Sequence, residues 1–526
     1  MDELRKIIFS FLNKKKKSPK SLLKIKIIVY EYLDKTNNLF KIINEKDQEI
    51  PYIILETGEA VIIDGSVNEI QALFSCHLGI DIQQNKFAKE LLNYIKHKTV
   101  ISGDVKKLEK YSFINEKNFY LSCGKKNMVT YIDSVLTKVK NGYNGVIFDS
   151  EYCLAEWEPD NIQLNIFDYV DPLDNLNEYC SFKINTCIPD GSHVYKEEMQ
   201  HSVLTDWILG SLMRIKPLPI LLFNGTKSSG KTLTSKAIMK LFMGDSSNVS
   251  IFPNDKRSLM SCITSNFIYT IDNLDSKTPP WFNDTLTLAS TGGELSERAL
   301  FSNSTTYKKE IVTSVIITSR NAYFAKRDDI KDRILPIFFE NRTDYSIPED
   351  QLLNEISKNR NKILTKLFVE INRLINEDFQ NEVFVEKYRF TKFGQLMQNR
   401  IKKLSRNYTI NDLVKSVVNS QFNTLTDLDP LIQAIFEYDF KQFGKQSLSG
   451  TPLEIVKLLE LSGKFSTNLK ARVISRKIKE NVDTFRINGW TVNIEKYGHS
   501  TRFHLYPPTE ETCVTTSSNE NYMTDV

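Results

Sequence analysis

The residues Gly225-Thr226-Lys227-Ser228-Ser229-Gly230-Lys231-Thr232 constrain this chain more than any other stretch. They fill every fixed position of the pattern G-x-x-x-x-G-K-[ST]. The apolar run LPILLF precedes them, and LTSKAIMKLFM, with helical apolar spacing, follows. A strand, a glycine-bent loop and a helix in that order make an anion cradle. Glycines let the backbone curl so that several N–H groups face one point, and the helix adds the positive end of its dipole. Lys231 then reaches the outer phosphates, and the Thr232 hydroxyl is presented to a magnesium ion. The pattern predicts a site for ATP and Mg²⁺. The plainer alternative, a Gly/Ser-rich surface loop, leaves the flanking strand and helix unexplained.

Residues 201–345 support that setting. The runs NFIYTIDN (266–273), TSVIITS (313–319) and RILPIFFE (333–340) read as further strands with helical segments between them. That alternation predicts an α/β core, a parallel sheet with helices on both faces. A phosphate cradle needs a carboxylate on a neighbouring strand to hold the metal. Asp272, at the end of one such run, is the candidate beside Thr232. The next residue is Asn273, which can orient a water but cannot take its proton. Asp275 and Glu294 are the alternatives for that task. A later strand ends in Thr318-Ser319-Arg320-Asn321, which can place a polar side chain near the γ-phosphate. Arg327 and Arg333 flank an acidic stretch before the last strand. An arginine there can stabilise transition-state charge across a subunit boundary, with Arg333 preferred. The competing reading is a surface ion pair with Asp328, Asp329 or Asp332.

A length of 526 residues calls for several domains. The net charge of only +4 means that any nucleic-acid surface must be local. The cysteines are scattered without a C-x-x-C pair, which argues against zinc and suits a reducing, cytoplasmic compartment. No apolar run is long enough to span a bilayer, and the N-terminus lacks the build of a secretory signal. Lys14–Lys17 reads as a solvated helix end. Residues 1–200 form an α+β region of unknown role, with a strand, a turn at Gly58 and a strand in YIILETGEAVIID. It holds no carboxylate cluster or zinc pattern that would support nucleotide polymerisation. Residues 346–429 read as a helical connecting region, and 509–526 as a polar, disordered tail.

Residues 430–508 read as a separate small domain. PLIQAIFEYDF is helical, and Thr451-Pro452-Leu453-Glu454 is a capping box opening a second helix. A third helix runs through LKARVISRKIKENV, with Ala471, Ile474 and Ile478 on one face and Lys470, Arg472, Arg476, Lys477 and Lys479 over the rest. Trp490, Val492 and Ile494 alternate, and after a turn at Gly498–Ser500 so do Phe503 and Leu505. This is the order of a winged helix-turn-helix. Between Thr451 and Pro508, ten Lys/Arg face five Asp/Glu, so a local basic surface exists within a nearly neutral chain. A basic third helix suits a DNA groove, and Arg502 or Lys496 on the hairpin suits the backbone. Protein contact is the alternative use.

The stretches GTKSSGKT, IYTIDNLD, STGGELSERALFSNST and ITSRN…RDDIKDRILPI resemble the AAA+ or superfamily 3-like ATPases of phages, plasmids and integrative elements, the group around viral primase–helicases. The resemblance covers about residues 205–345. It implies a homo-oligomeric ring, a hexamer among the candidate sizes, that moves on single-stranded or forked DNA with replication proteins as partners. It further implies Lys231 and Thr232 on nucleotide, Asp272 on Mg²⁺, a sensor at Ser319 or Asn321, and Arg333 acting in trans. Arg298, Lys308 and Lys309, in the insertion Gly292–Lys309, fall where similar ATPases touch DNA. Asn273 stands where a second acid is common, so an ATP-switched DNA-binding regulator or defence ATPase with slow turnover is the second reading. The leading one is a replicative helicase or initiator-type motor.

Overall fold

The computed structural model describes residues 2–13, 18–44, 47–160, 195–246, 249–250, 252–253, 255–275, 278–298, 306–320, 322, 324–325, 328–339, 348–376, 387–426, 430–436, 438–440, 443–462, 469–487, 490–497 and 500–508. Lys14–Lys17, Asn321, Arg327 and the tail from Thr509 lie outside them.

The chain begins with helices α1 (Asp2–Leu12) and α2 (Pro19–Asn37). Strands β1 (Leu39–Ile43), β2 (Glu49–Ile54) and β3 (Ala60–Ile62), helices α3 (Asn68–Ala72) and α4 (Lys86–Ser102), and strand β4 (Asp104–Val105) follow. The sheet order is β3-β2-β1-β4. The turn at Gly58 has φ 97°, and a Cβ there would lie 2.1 Å from the Lys126 carbonyl oxygen, so only glycine fits. A second, antiparallel sheet holds β5 (Ser112–Asn115), β6 (Asn118–Cys123), β7 (Asn127–Ile132) and β8 (Val135–Lys140).

Helix α5 (Glu197–Leu212) leads into the central sheet. Its strands are β9 (Ile220–Gly225), β10 (Ile268–Ile271), β13 (Ser314–Ser319) and β14 (Ile334–Phe339), in the spatial order β10-β13-β9-β14, all parallel. Ser250 extends the β10 edge by a parallel bridge to Ile271. Between these strands run α6 (Lys231–Met243), α7 (Lys256–Ser265), α8 (Pro280–Thr291), the hairpin β11 (Glu294–Arg298) with β12 (Thr306–Glu310), and α9 (Asp328–Lys331).

Both faces of this sheet are covered, which is why its strands read as continuous apolar runs. Leu221, Phe223, Ile316, Leu335 and Ile337 join one core with Ala237, Ile238 and Phe242 of α6. Their strand neighbours Ile220, Leu222, Val315, Ile317 and Ile334 join another with Ile263 of α7 and Phe282 and Leu286 of α8. The first core also takes in Tyr111, Phe119 and Trp157 and the helices α10 (Glu349–Asn376), α11 (Thr391–Lys403) and α12 (Ile410–Thr426). At its centre the fully buried Arg400 of α11 bonds Asp206 of α5, also fully buried, and reaches Glu370 of α10 at 3.3 Å.

The last unit contains α13 (Pro430–Phe436), β15 (Leu448–Gly450), α14 (Pro452–Leu461), α15 (Ala471–Glu480), α16 (Val482–Ile487), β16 (Thr491–Tyr497) and β17 (Ser500–Tyr506). The capping box at Thr451 and Glu454 is formed. The strands pair antiparallel in the order β15-β17-β16 over a core of their own. The basic helix ends at Glu480, two residues before its expected end at Val482. Buried Asn481 leaves helical geometry (φ −115°, ψ 18°), its amide donates to the Lys477 carbonyl, and α16 starts anew.

Candidate nucleotide site

Strand β9 ends in the loop that opens α6. At Gly225 a Cβ would lie 2.1 Å from the Phe339 carbonyl oxygen, so the end of β9 packs against β14 with no room for a side chain. Gly230 caps α6 with φ 94°, which glycine adopts without strain. Ser228 takes the left-handed region as well, with φ 65°. The first turn of α6 carries no acidic residue, so its amide end keeps its positive potential.

The Lys231 ammonium folds back over the loop. It donates to the carbonyls of Gly225 (2.8 Å) and Thr226 (2.6 Å) and to Ser229 Oγ (3.3 Å). Burial holds its pKa below the ordinary lysine range; Asp275 and Asp272 offset this in part, while nearby Arg320 adds to it.

Asp272 leaves the end of β10 and meets the loop from the side. Thr232 Oγ1 donates to Asp272 Oδ1 at 2.8 Å, and Thr318 Oγ1 of β13 donates to the same oxygen at 2.6 Å. Asn273 holds both partners in place. Its backbone N–H donates to Thr318 Oγ1 at 2.9 Å, and its side-chain amide donates to Asp272 Oδ2 at 3.3 Å. Asp275 accepts from Ser319 Oγ (3.1 Å), from the Arg320 backbone N–H (2.6 Å) and from Arg320 Nε (2.5 Å). Burial pushes its carboxyl up, but these donors outweigh burial and leave the pKa lowered. A carboxylate held in that way is a weak proton acceptor.

These groups surround a cleft of about 840 Å³ lined by Lys227–Leu233, Asn273, Asp275, Arg320 and Glu349. The size is that of an ordinary small-ligand site. It lies at the carboxyl ends of parallel strands, beside the strand whose neighbours on both sides come later in the chain, which is where open α/β sheets bind ligands. The residues fit a magnesium nucleotide: backbone amides for phosphate, and the hard oxygen donors Thr232 and Asp272 for Mg²⁺.

The sequence-chosen residues separate into those that meet and those that do not. Lys231, Thr232, Asp272 and Asn273 converge. Ser319 is buried and donates to the Leu274 carbonyl and Asp275, behind the cleft lining. Arg333 sits at the other end of the sheet, just before β14, and its carbonyl accepts from Ile220 at the start of β9. Five residues of strand at ~3.3 Å each put it roughly 16 Å from the loop of its own chain. It is buried at 6% exposure, its Nε donates to the Asp329 carbonyl at 2.9 Å, and burial lowers its pKa. Glu294 pairs in register with Glu310 at the base of the hairpin and does not line the cleft.

Arg298 and Lys308 fall within that hairpin, opposite Thr306 and Ser296; their side chains lie outside the description. Lys309 is exposed. On the last unit, Lys470, Arg472, Arg476 and Arg502 are exposed and Lys477 is half-buried. Arg476 has Glu480 at 3.7 Å, and Arg502 has Glu454 at 3.9 Å. The sequence directs the strand ending Thr318-Ser319-Arg320-Asn321 toward the γ-phosphate, with Ser319 or Asn321 as the acting residue; the structure brings Thr318 to Asp272 and Arg320 to the cleft lining. Sequence reasoning missed Glu349, which also lines the cleft. Among the described residues, no group of three or more His, Cys, Asp or Glu could hold a metal, and no helix is long and apolar enough to cross a membrane.

Residues 194–383 match the family of actinomycete integrative conjugative element replication proteins. The match contains the whole cleft, from the loop to Glu349. No curated protein matches the chain. Among solved structures, the apo C-terminal region of NrS-1 is similar at 12% identity over 91% of this chain and 99% of that one, with a TM-score of 0.43. Another form of that region gives 13% identity over 91% and 99%, with a TM-score of 0.40. JCV helicase is similar at 13% identity over 44% of this chain and 65% of that one, with a TM-score of 0.21.

Proposed function

We propose that the cleft binds ATP with Mg²⁺ and that the chain is an ATP-dependent DNA motor of a mobile genetic element, a replicative helicase or initiator-type ATPase working as a ring oligomer. One observation carries the nucleotide reading. The Thr232 hydroxyl and the Asp272 carboxylate, from different elements, meet at 2.8 Å beside the amide end of α6. These two oxygen donors would hold a Mg²⁺ beside the phosphates, and the match of residues 194–383 to replication proteins of conjugative elements supports the setting. When bound, the ion neutralises charge on the outer phosphates. Lys231 exchanges its loop carbonyls for phosphate oxygens, and Asn273 holds Asp272 and Thr318 in register.

In this reading the last unit, a helix, a strand, three helices (the third a short one after the Asn481 break) and a hairpin, is a winged helix, and its exposed Lys470, Arg472 and Arg476 give it a DNA-facing surface. Arg333 lies too far from its own loop to serve it, so any contribution to a nucleotide is to a neighbouring subunit's.

A second reading, an ATP-switched DNA-binding regulator with slow turnover, is favoured by one feature. Each carboxylate at the cleft is already held: Asp272 by Thr232, Thr318 and Asn273, Asp275 by Arg320 and Ser319, and Glu349 by Lys236 at 2.7 Å. Among the described lining residues none is left to take a proton from water.

The test is ATP hydrolysis with and without single-stranded DNA, and strand displacement on a forked duplex, with Lys231→Ala as control. DNA-stimulated, Lys231-dependent turnover with unwinding is the expected result. Turnover without unwinding favours the switch. No turnover under any condition sinks the motor.

A further inference from the structure

The cleft has a wall that a phosphate chain does not account for. Helix α10 follows β14, the strand on the far side of β9 from β13 and β10. Its first residue, Glu349, lines the cleft, so a carboxylate enters from the side of the sheet opposite Asp272. The Glu349 side chain is 54% exposed, and Lys236 Nζ of α6 donates to its Oε1 at 2.7 Å. That bond fixes one oxygen; an ionised carboxylate has further lone pairs to offer and no proton to give. Lys236 stands four residues after Thr232 and three after Leu233, on one face of α6. Leu233, half-buried, is the one apolar side chain among the described lining residues. From Lys231 to Lys236 the helix rises about 7.5 Å, at ~1.5 Å per residue. Along α6 the wall therefore changes from cation and hydroxyl to apolar surface and carboxylate.

A phosphate chain running toward Glu349 is repelled by it, anion against anion. With a metal and the outer phosphates at Thr232 and Asp272, the uncharged end of a nucleotide leaves along Leu233 toward Lys236. A group that only accepts hydrogen bonds selects donors, and the first donors beyond the α-phosphate are the sugar hydroxyls. We propose that Glu349, aimed by Lys236, accepts the ribose hydroxyls of the bound nucleotide, so that the cleft prefers ribonucleotides to deoxyribonucleotides. The inference rests on the nucleotide reading of the cleft and adds the sugar to it. Removing a hydroxyl takes a partner from the carboxylate and leaves every phosphate contact in place.

The experiment is calorimetric titration of the full chain, in Mg²⁺, with ADP, 2′-deoxy-ADP, 3′-deoxy-ADP and inosine diphosphate, diphosphates being used so that no turnover intervenes. ADP should bind about tenfold more tightly than at least one deoxy form, the worth of a hydrogen bond to a charged acceptor. Glu349→Ala, at an unchanged melting temperature, should bind all three adenine diphosphates equally. Loss of the negative charge raises the affinity for every diphosphate alike, so the ratio reports the hydroxyl alone. Glu349→Gln retains an acceptor oxygen and should keep part of the ratio; Lys236→Met should lower it. The assignment is overturned by a wild-type chain indifferent to the sugar, or by Glu349→Ala with the wild-type ratio. It is also overturned if Glu349→Ala erases a difference between ADP and inosine diphosphate instead, since the carboxylate then reads the base amine. A wild-type ratio in Lys236→Met removes its aiming role. Lys231→Ala separates the two layers. If it weakens every diphosphate while Glu349→Ala keeps the wild-type ratio, the cleft is a nucleotide site and only the sugar assignment falls. If it changes none of them, the nucleotide reading falls as well.

Discussion

Arg400 offers the sharpest test of what holds the platform under the central sheet. Its guanidinium and the Asp206 carboxylate are both fully buried, and Glu370, at 4% side-chain exposure, is the third member. Arg400→Met leaves Glu370 with Arg373 at 2.7 Å, so Asp206 is the group that suffers. A buried charge stripped of its ion partner costs about 3–5 kcal/mol. At ~2–4 °C per kcal/mol for a domain of this class, that is a fall of about 6–20 °C in melting temperature. Replacing both members, Asp206→Leu with Arg400→Met, removes the charges as well as their desolvation and should recover most of the loss. Thermal and urea melts of both single variants and the double form the cycle. A double variant as unstable as the sum of the singles would refute the reasoning, since the loss would then come from packing and not from an orphaned charge. So would a single variant costing under about 1 kcal/mol, the level of an exposed pair.

Three further outcomes follow from the geometry. Gly225→Ala puts a Cβ 2.1 Å from the Phe339 carbonyl oxygen, so β9 and β14 must part at the loop; a loss of about 1–3 kcal/mol together with weaker nucleotide binding is expected, and a wild-type melt with wild-type affinity would contradict it. Exchanging Lys470, Arg472, Arg476 and Lys477 for Ala should weaken DNA binding at low salt and flatten its salt dependence by about one unit of slope per lost phosphate contact; an unchanged slope removes this surface from DNA. Burial lowers the Lys216 pKa to about 8 from 10.5, so between those values the unfolded chain binds more protons and stability rises with pH. Urea melts of Lys216→Met across that range should show a smaller rise than wild type; an equal rise assigns the effect to other groups.

The parts of this molecule legible in the sequence are those whose cause is local. The strand, loop and helix around Lys231 follow from a pattern eight residues long with its own flanks. The turn at Gly58 and the capping box at Thr451 are local too, one needing a positive φ and the other a reach of three residues. The basic helix was legible by period, but its end was not. Asn481 breaks it while accepting, at 2.5 Å, from Lys331 in another part of the chain. The continuity of the main core from Tyr111 through Val417 is likewise a matter of which apolar faces meet, and periodicity states only that a face exists.

The same distinction explains why the sequence pointed to Arg333 and, within the ending Thr318-Ser319-Arg320-Asn321, to Ser319 or Asn321 rather than Arg320. Near Arg333 the acidic neighbours and the following strand are visible in one short window. Arg320 acquires its meaning from Asp275, 45 residues earlier, and the two come together only because β13 inserts between β9 and β10. Once that strand order is known, the end of β13 must overhang the space between Lys231 and Asp272, and the residues there become the ones to examine. Parallel sheets place chemistry at strand ends in spatial order, whereas a sequence presents it in chain order. The side chains that face such a cleft therefore belong to the last two residues of each strand of the sheet and the first one after it, including strands without a motif of their own. By that criterion Thr318, Ser319 and Arg320 stand beside Asp272, and Arg333, at the amino end of its strand, does not.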